Sequence, residues 1–295
     1  MDKNQTILII DFGSQYTQLI ARKIREQNVY CEIHTHQISI ESILSKSPKG
    51  IILSGGPMSV YDEDSIIIDK KIFELNIPLL GICYGLQLTA KLLGGKVEKA
   101  DDREYGKAIL NNFSKSKILN NVSENSVVWM SHGDFVSDVP DGFKIVAKSE
   151  HSPVCAIENS EKNIFGVQFH PEVNHTLEGK KILRNFLFDI CKCDGDWTSK
   201  NFIDKSIEEI RNKVCDDDVI CALSGGVDST VAAVLVQKAI GEKLSCIHID
   251  SGLMRKNESE QIEKIFNEKL ELNVKYIDAS ELFLSKLRSE ERRVG

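Results

Sequence analysis

The first third of the chain alternates short, continuous apolar runs with stretches whose apolar residues return every three or four positions. Ile7-Leu8-Ile9-Ile10, the segment 29–35, Gly50-Ile51-Ile52-Leu53 and Ile77-Pro78-Leu79-Leu80-Gly81-Ile82 read as strands. Helices are predicted over 14–26, with Tyr16, Leu19, Ile20 and Ile24 on one face, and over 40–45, 65–75 and 84–93. Strands that are apolar throughout have no face for water, so the pattern predicts a parallel sheet covered by helices on both sides. From about 102 to 167 polar turn clusters separate short alternating runs, such as Ser126-Val127-Val128-Trp129-Met130 and Val154-Cys155-Ala156-Ile157. These read as antiparallel strands added to the sheet. A helix over 176–190 follows.

Asp194-Gly195-Asp196-Trp197-Thr198 is a polar break, and beyond it the alternation restarts. A helix over 200–213 carries Phe202, Ile203, Ile207 and Ile210 as its apolar stripe. Then come strand Val219-Ile220-Cys221-Ala222-Leu223, a Gly-rich turn, a helix over 229–240, a strand over 244–249, a helix over 258–268 and strand Val274-Lys275-Tyr276-Ile277. The expected organisation is α/β. An open, mostly parallel sheet domain with added antiparallel strands covers 1–193, and a linker with a connecting helix covers 194–218. The stretch 219–295 begins a second doubly wound α/β nucleotide-binding domain. Two strand–helix units and one more strand bury little surface for a core. Arg288-Ser289-Glu290-Glu291-Arg292-Arg293-Val294-Gly295 does not read as a domain end, so this second domain is expected to be incomplete.

With 295 residues, 41% of them hydrophobic, the chain is too long for one average domain and too apolar for disorder. Lys and Arg number 37 against 44 Asp and Glu, and the net charge of −7 argues against a partner held by bulk electrostatics, whether nucleic acid or anionic membrane. No apolar run approaches the roughly 20 residues that span a bilayer, and Met1-Asp2-Lys3-Asn4-Gln5 lacks the apolar core of a signal peptide. Eight scattered cysteines, several within strand-like runs, read as reduced thiols of a cytoplasmic protein. Cys191-Lys192-Cys193 is too closely spaced for a zinc knuckle and has no second cysteine pair.

Gly81-Ile82-Cys83-Tyr84-Gly85 lies where a buried strand turns into a helix, with the spacing of a nucleophile elbow and sulfur in place of the hydroxyl. The glycines leave room for a tight turn, and a helix N-terminus favours a thiolate. A small buried hydrophobe is the bland alternative for any free cysteine. Far downstream, Gly166-Val167-Gln168-Phe169-His170-Pro171-Glu172 ends another apolar strand. Pro171 biases His170 toward an extended conformation, which turns Glu172 to the same side as His170. Nucleophile, base and orienting carboxylate are thus all present. Leu53-Ser54-Gly55-Gly56-Pro57 ends a third parallel strand, and its bare amides suit a developing oxyanion. His34, His36, His151, His175 and His248 read as surface or packed histidines.

Asp11-Phe12-Gly13-Ser14-Gln15-Tyr16, Ser54-Gly55-Gly56-Pro57, Gly81-Ile82-Cys83-Tyr84-Gly85-Leu86-Gln87 and His170-Pro171-Glu172 resemble, in this order, the motifs of class I glutamine amidotransferases. The resemblance covers about the first 190 residues. It implies that Cys83 attacks the side-chain amide of glutamine, that His170 serves as base and acid, and that Glu172 holds it. It further implies that the Gly55 and Tyr84 amides bind the oxyanion. Gln87, Ser131, His132, Gly133 and Asp134 match positions that hold glutamine.

Leu223-Ser224-Gly225-Gly226-Val227-Asp228-Ser229-Thr230 follows a strand and opens a helix. Glycine amides, serine hydroxyls and a helix N-terminus make an anion nest. The lysine and spacing of a Walker A loop are missing. Asp228 would repel phosphate unless a divalent ion lay between them, so Mg²⁺ is implied. The octapeptide resembles the pyrophosphate loop of N-type ATP pyrophosphatases, in which an aspartate like Asp250 lies near the nucleotide. Together the two halves resemble glutamine-hydrolysing ligases that use ATP to aminate xanthosine monophosphate to GMP and whose members pair as homodimers. Members of that family run well past residue 295, so the chain as it stands is expected to hydrolyse glutamine at most. A hydrolase feeding no acceptor, and a non-catalytic regulatory descendant, are the alternatives. The Ser224 to Thr230 loop counts against the first, and intact Cys83, His170 and Glu172 count against the second.

Overall fold

The uninterrupted apolar runs form the centre of a sheet. The computed structural model describes residues 5–62, 64–111, 114–270 and 272–291, with the side chains of 101–103 and 288–291 excepted. The last four residues of the stretch expected to be an unfinished end, 292–295, therefore lie outside the described residues. Contacts divide the chain into two units, Met1–Trp197 and Thr198–Gly295.

In the first unit the order is β1 (Thr6–Asp11), α1 (Thr17–Arg25), β2 (Tyr30–Thr35), α2 (Ile40–Lys46), β3 (Gly50–Leu53), β4 (Leu79–Ile82) and α3 (Tyr84–Leu92). Then follow β5 (Lys96–Ile109), β6 (Val127–Asp138), β7 (Lys144–Ala147), β8 (Ala156–Asn159), β9 (Ile164–Val167) and α4 (Gly179–Arg184). Seven strands pair in the order β2-β1-β3-β4-β9-β8-β7. They are parallel from β2 through β9 and antiparallel at β8 and β7. Alternate residues feed opposite faces. Ile7, Ile9, Ile52, Leu80 and Ile82 pack with Ile20 and Ile24 of α1 and with Ile182 of α4. On the other face Leu8, Ile10, Ile51, Leu53 and Leu79 pack with Ile43 of α2 and Leu86 of α3.

Three expectations need correction. The segment 65–75 forms only a short 3-10 helix, Lys70–Glu74. The β-branched run Ile66-Ile67-Ile68 resists a longer helix, and the Asp69 carboxylate accepts from the Lys71 amide and starts the turn there. Only β7 and β8 of the expected antiparallel strands join the main sheet. β5 and β6 are long and pair with each other as a separate two-stranded ribbon. The helix expected over 176–190 is α4 and then a π-type turn, Asn185–Ile190.

The second unit contains α5 (Ser199–Val214), β10 (Val219–Ala222), α6 (Val227–Ile240), β11 (Leu244–Asp250), α7 (Glu258–Lys269), β12 (Val274–Asp278) and α8 (Ser280–Glu291). Its strands form a parallel sheet in the order β10-β11-β12. Leu223, Ala233, Leu244, Cys246, Ile262 and Phe266 make a small core. Helix α5 lies along α6, where the Arg211 guanidinium donates to the Ala239 carbonyl at 2.8 Å. The stripe expected on α5 is only partly covered, since Phe202 is 47% exposed. Helix α8 is an element the apolar pattern does not announce; its start signal is Asp278, whose carboxylate accepts from the Ser280 amide and hydroxyl.

Candidate active site

β3, β4 and β9 are neighbours in the parallel sheet, so the turns after all three open at the same edge. Cys83 stands between β4 and α3 with φ 52° and ψ −107°, a conformation that costs a non-glycine residue about 1–3 kcal/mol. The flanking glycines make the turn feasible. A Cβ on Gly81 would come within 2.6 Å of the Gly85 backbone, and one on Gly85 within 2.4 Å of the Leu53 carbonyl oxygen. The Cys83 amide donates to the Val167 carbonyl at 2.8 Å, which ties the elbow to β9. Its Sγ lies 3.7 Å from the Ser131 carbonyl oxygen and 3.7 Å from the Gln168 side-chain nitrogen.

His170 follows β9. Its Nδ1 is 2.8 Å from Glu172 Oε1, and both residues are buried. The backbone is held on both sides: the His170 amide donates to the Trp129 carbonyl, and the Thr176 hydroxyl donates to the His170 carbonyl at 2.6 Å. The Tyr16 ring meets the imidazole edge-on, with centroids 5.0 Å apart. Burial works against a charged imidazole, but the adjoining Cys83 sulfur and the Glu172 carboxylate outweigh it and push His170 up to about 10.

Cys83, His170, Tyr84, Gln87, Ser131, His132, Gly133 and Asp134 all line one cavity of about 730 Å³. The thiol is therefore not sealed in the core, and the imidazole is on its side of the sheet. Gly55 sits against the imidazole, where a Cβ would stand 3.2 Å from Cε1. Ser54 clamps that turn, its hydroxyl accepting from the Phe12 amide and donating to the Gly55 carbonyl. Tyr84, as the first residue of α3, donates to no intrahelical carbonyl. The Gln87 amide nitrogen donates to the Asp134 carbonyl at 2.7 Å. Residues 131–134 are part of β6, which pairs with β5 and is tied to the His170 segment through Val127 and Trp129.

The second predicted site is in the other unit. Gly225 has φ 82°, and Gly226 precedes α6. The Ser224 and Ser229 hydroxyls are 3.0 Å apart, and the Gly226 amide donates to the Ser224 hydroxyl. Val227 and Asp228 lie exposed in the first turn of α6, and the Thr230 hydroxyl is turned back onto the Gly226 carbonyl. Asp250 ends β11, the neighbour of β10, so it and the loop share one sheet edge. The Gly252 amide and the Ser259 hydroxyl hold its carboxyl below the usual range, with help from the Tyr276 hydroxyl. His248 is a packed histidine, bonded to the Leu223 carbonyl and the Ser259 hydroxyl. Among the described residues no three His, Cys, Asp or Glu side chains gather to hold a metal ion.

Sequence reasoning missed Gln168, Tyr16 and Thr176 as neighbours of the site. Gln168 was findable, because it lies two positions before His170 in the chain leaving β9 and extended residues at i and i+2 share a side. Tyr16 and Thr176 are brought in by loop paths that no spacing encodes.

A parallel sheet with a cysteine elbow and a His–Glu pair at its edge defines an amidotransferase-type site. Residues 8–190 match the family described as Glutamine amidotransferase class-I, and the chain belongs to it. Residues 198–292 match the family described as NAD synthase. Among curated relatives, a protein of Alkaliphilus metalliredigens named GMP synthase (glutamine-hydrolyzing) is 54% identical over 286 residues, 97% of this chain and 56% of that one. A Clostridium tetani protein of the same name is 55% identical over 286 residues, 97% and 56% of the two chains. The chain thus spans about half the length of the curated relatives it matches. A solved structure from Thermoplasma acidophilum, described as one component of a GMP synthase, aligns with TM-score 0.58 and 32% identity, over 70% of this chain and 100% of that one. A glutamine amidotransferase of Thermotoga maritima, 22% identical with TM-score 0.52 over 65% of this chain and 100% of that one, shares the fold. No helix among the described residues is long and apolar enough to cross a membrane.

Proposed function

We propose that the chain carries the glutamine-hydrolysing part, and the beginning of the nucleotide-activating part, of an enzyme that makes GMP from xanthosine monophosphate in the cytoplasm. On this reading 1–193 is the amidotransferase domain, 194–218 the connection and 219–295 the first part of an ATP pyrophosphatase domain. The observation that carries it is the meeting of Cys83 and His170 at one cavity, with the buried Glu172 carboxylate bonded to the imidazole from behind.

The Cys83 thiol gives its proton to His170 as Sγ attacks the amide carbon of glutamine, and the developing oxyanion is met by the Gly55 and Tyr84 amides. The C–N bond breaks as His170 gives the leaving nitrogen a proton, so ammonia departs and a γ-glutamyl thioester remains. Water then attacks the thioester, His170 takes its proton, and glutamate and the thiol are restored. Glu172 keeps the imidazole oriented throughout. Gln87 and the stretch Ser131, His132, Gly133 and Asp134 shape the pocket for glutamine.

In the second unit, Ser224, Gly225, Gly226, Val227, Asp228, Ser229 and Thr230 would cradle the pyrophosphate of ATP, with Asp250 toward the nucleotide. ATP activates the 2-oxygen of xanthosine monophosphate as an adenylate, with release of pyrophosphate, and ammonia displaces AMP. Mg²⁺ would be held there through the exposed Asp228 carboxylate in the first turn of α6. Bound there, the ion would neutralise phosphate charge. The whole protein would work as a homodimer.

The test is ammonia release from glutamine. Wild-type chain is expected to turn glutamine over, and Cys83→Ala to show none while keeping its circular dichroism spectrum. A full-length Cys83→Ala protein should still aminate xanthosine monophosphate when ammonia is added. Residual glutamine hydrolysis in Cys83→Ala would overturn the assignment.

A further inference from the structure

The ribbon wall of the glutamine cavity holds a buried couple, His132 of the pocket stretch and Glu104, to which the mechanism above gives no part. Glu104 and His132 are direct partners across β5 and β6. They stand at the point where the ladder slips, because four residues separate Lys99 from Glu104 while only Gly133 separates His132 from Asp134. His132 Nε2 lies 3.3 Å from Glu104 Oε2, with side chains 3% and 12% exposed. The two are in contact but are not aligned as a hydrogen bond. Both His132 nitrogens and Glu104 Oε2 are left without hydrogen-bond partners among the described residues. Glu104 Oε1 accepts from the Ser149 hydroxyl, and His132 lines the cavity. A buried polar group without a partner is costly, so such a cluster calls for a role.

We propose that Glu104 is a positioning residue for glutamine binding: acting through His132, it pins the bulged ribbon so that stretch 131–134 closes over the elbow. This rests on the glutaminase reading above. The stretch touches the elbow through two backbone carbonyls, Ser131 to the Cys83 sulfur and Asp134 to the Gln87 amide. Removing the carboxylate takes away the neighbour of the His132 imidazole and the acceptor of the Ser149 hydroxyl, and lets both carbonyls drift. Cys83, His170 and Glu172 are carried by other elements and stay in place.

Steady-state glutaminase kinetics on Glu104→Ala, Glu104→Gln and Glu104→Asp test this, with the rate of Cys83 alkylation by iodoacetamide as a control on the thiol. We expect KM for glutamine to rise about tenfold or more in Glu104→Ala, equivalent to about 1.4 kcal/mol. The rise should be nearly as large in Glu104→Gln and mostly reversed in Glu104→Asp, while kcat and alkylation change far less. A KM within twofold of wild type in both Glu104→Ala and Glu104→Gln overturns the proposal. So does a loss confined to kcat, or an equal loss in all three variants with lowered melting temperature. A wild-type chain without glutaminase activity would instead sink the functional reading.

Discussion

The imidazole of His170 is the residue on which electrostatics and chemistry meet. Folding raises it from 6.5 to about 10. The stabilising contribution of the charged ring is therefore complete below about pH 6.5 and drains away as pH climbs toward 10. Melting curves of wild type and His170→Gln should lie furthest apart near pH 6 and approach each other by pH 10; a gap that widens with pH would contradict the pairing. Glu172→Gln removes the orienting charge but little volume, and kcat for glutamine hydrolysis should fall by about a hundred- to ten-thousandfold. The second carboxylate oxygen of Glu172 has no partner among the described residues, so His170 is the group this buried charge serves.

Among the elements, the contact of α3 with the β3 and β4 ends decides whether the elbow forms. Gly85 is where helix and sheet touch, with no room for a methyl group beside the Leu53 carbonyl. Gly85→Ala should cost about 1–3 kcal/mol by overpacking, read as a fall of roughly 2–10 °C in the melting of the Met1–Trp197 unit. Glutamine hydrolysis should suffer more, because the displaced helix carries Tyr84 and Gln87 with it. The strands and most helices of this unit are legible in the sequence, since a continuous apolar run of β-branched residues has few alternatives. The 65–75 segment misleads because apolar spacing alone does not reveal that three consecutive isoleucines resist a helix. The β5–β6 ribbon misleads for a different reason: period-two alternation marks a strand but never names its partner.

Over the whole molecule, the two units differ in how well they bury their sheets. In the first, β1, β3, β4 and β9 are almost wholly covered. In the second, Ile220 of β10, Ile249 of β11 and Ile277 of β12 are 72%, 47% and 37% exposed, although parallel sheets are ordinarily covered on both faces. Hydrogen exchange on the intact chain should show the amides of β10 and β12 opening at lower free energy than those of β1, β3 and β4. Equal protection in both units would refute this.

The order of motifs and the covalent neighbours of each reactive group are properties of the sequence. The Cys83 elbow, the His170–Glu172 pair and the Ser224 to Thr230 loop follow from local sterics and strand ends, so spacing alone revealed them. Which cavity wall faces the sulfur and what fastens it depend on bonds from β6 to the 170–177 segment as well as to β5, and why Glu104 meets His132 depends on the pairing between β5 and β6. That pairing joins segments whose register is set by a bulge and a ladder, and neither leaves a mark that one strand shows by itself.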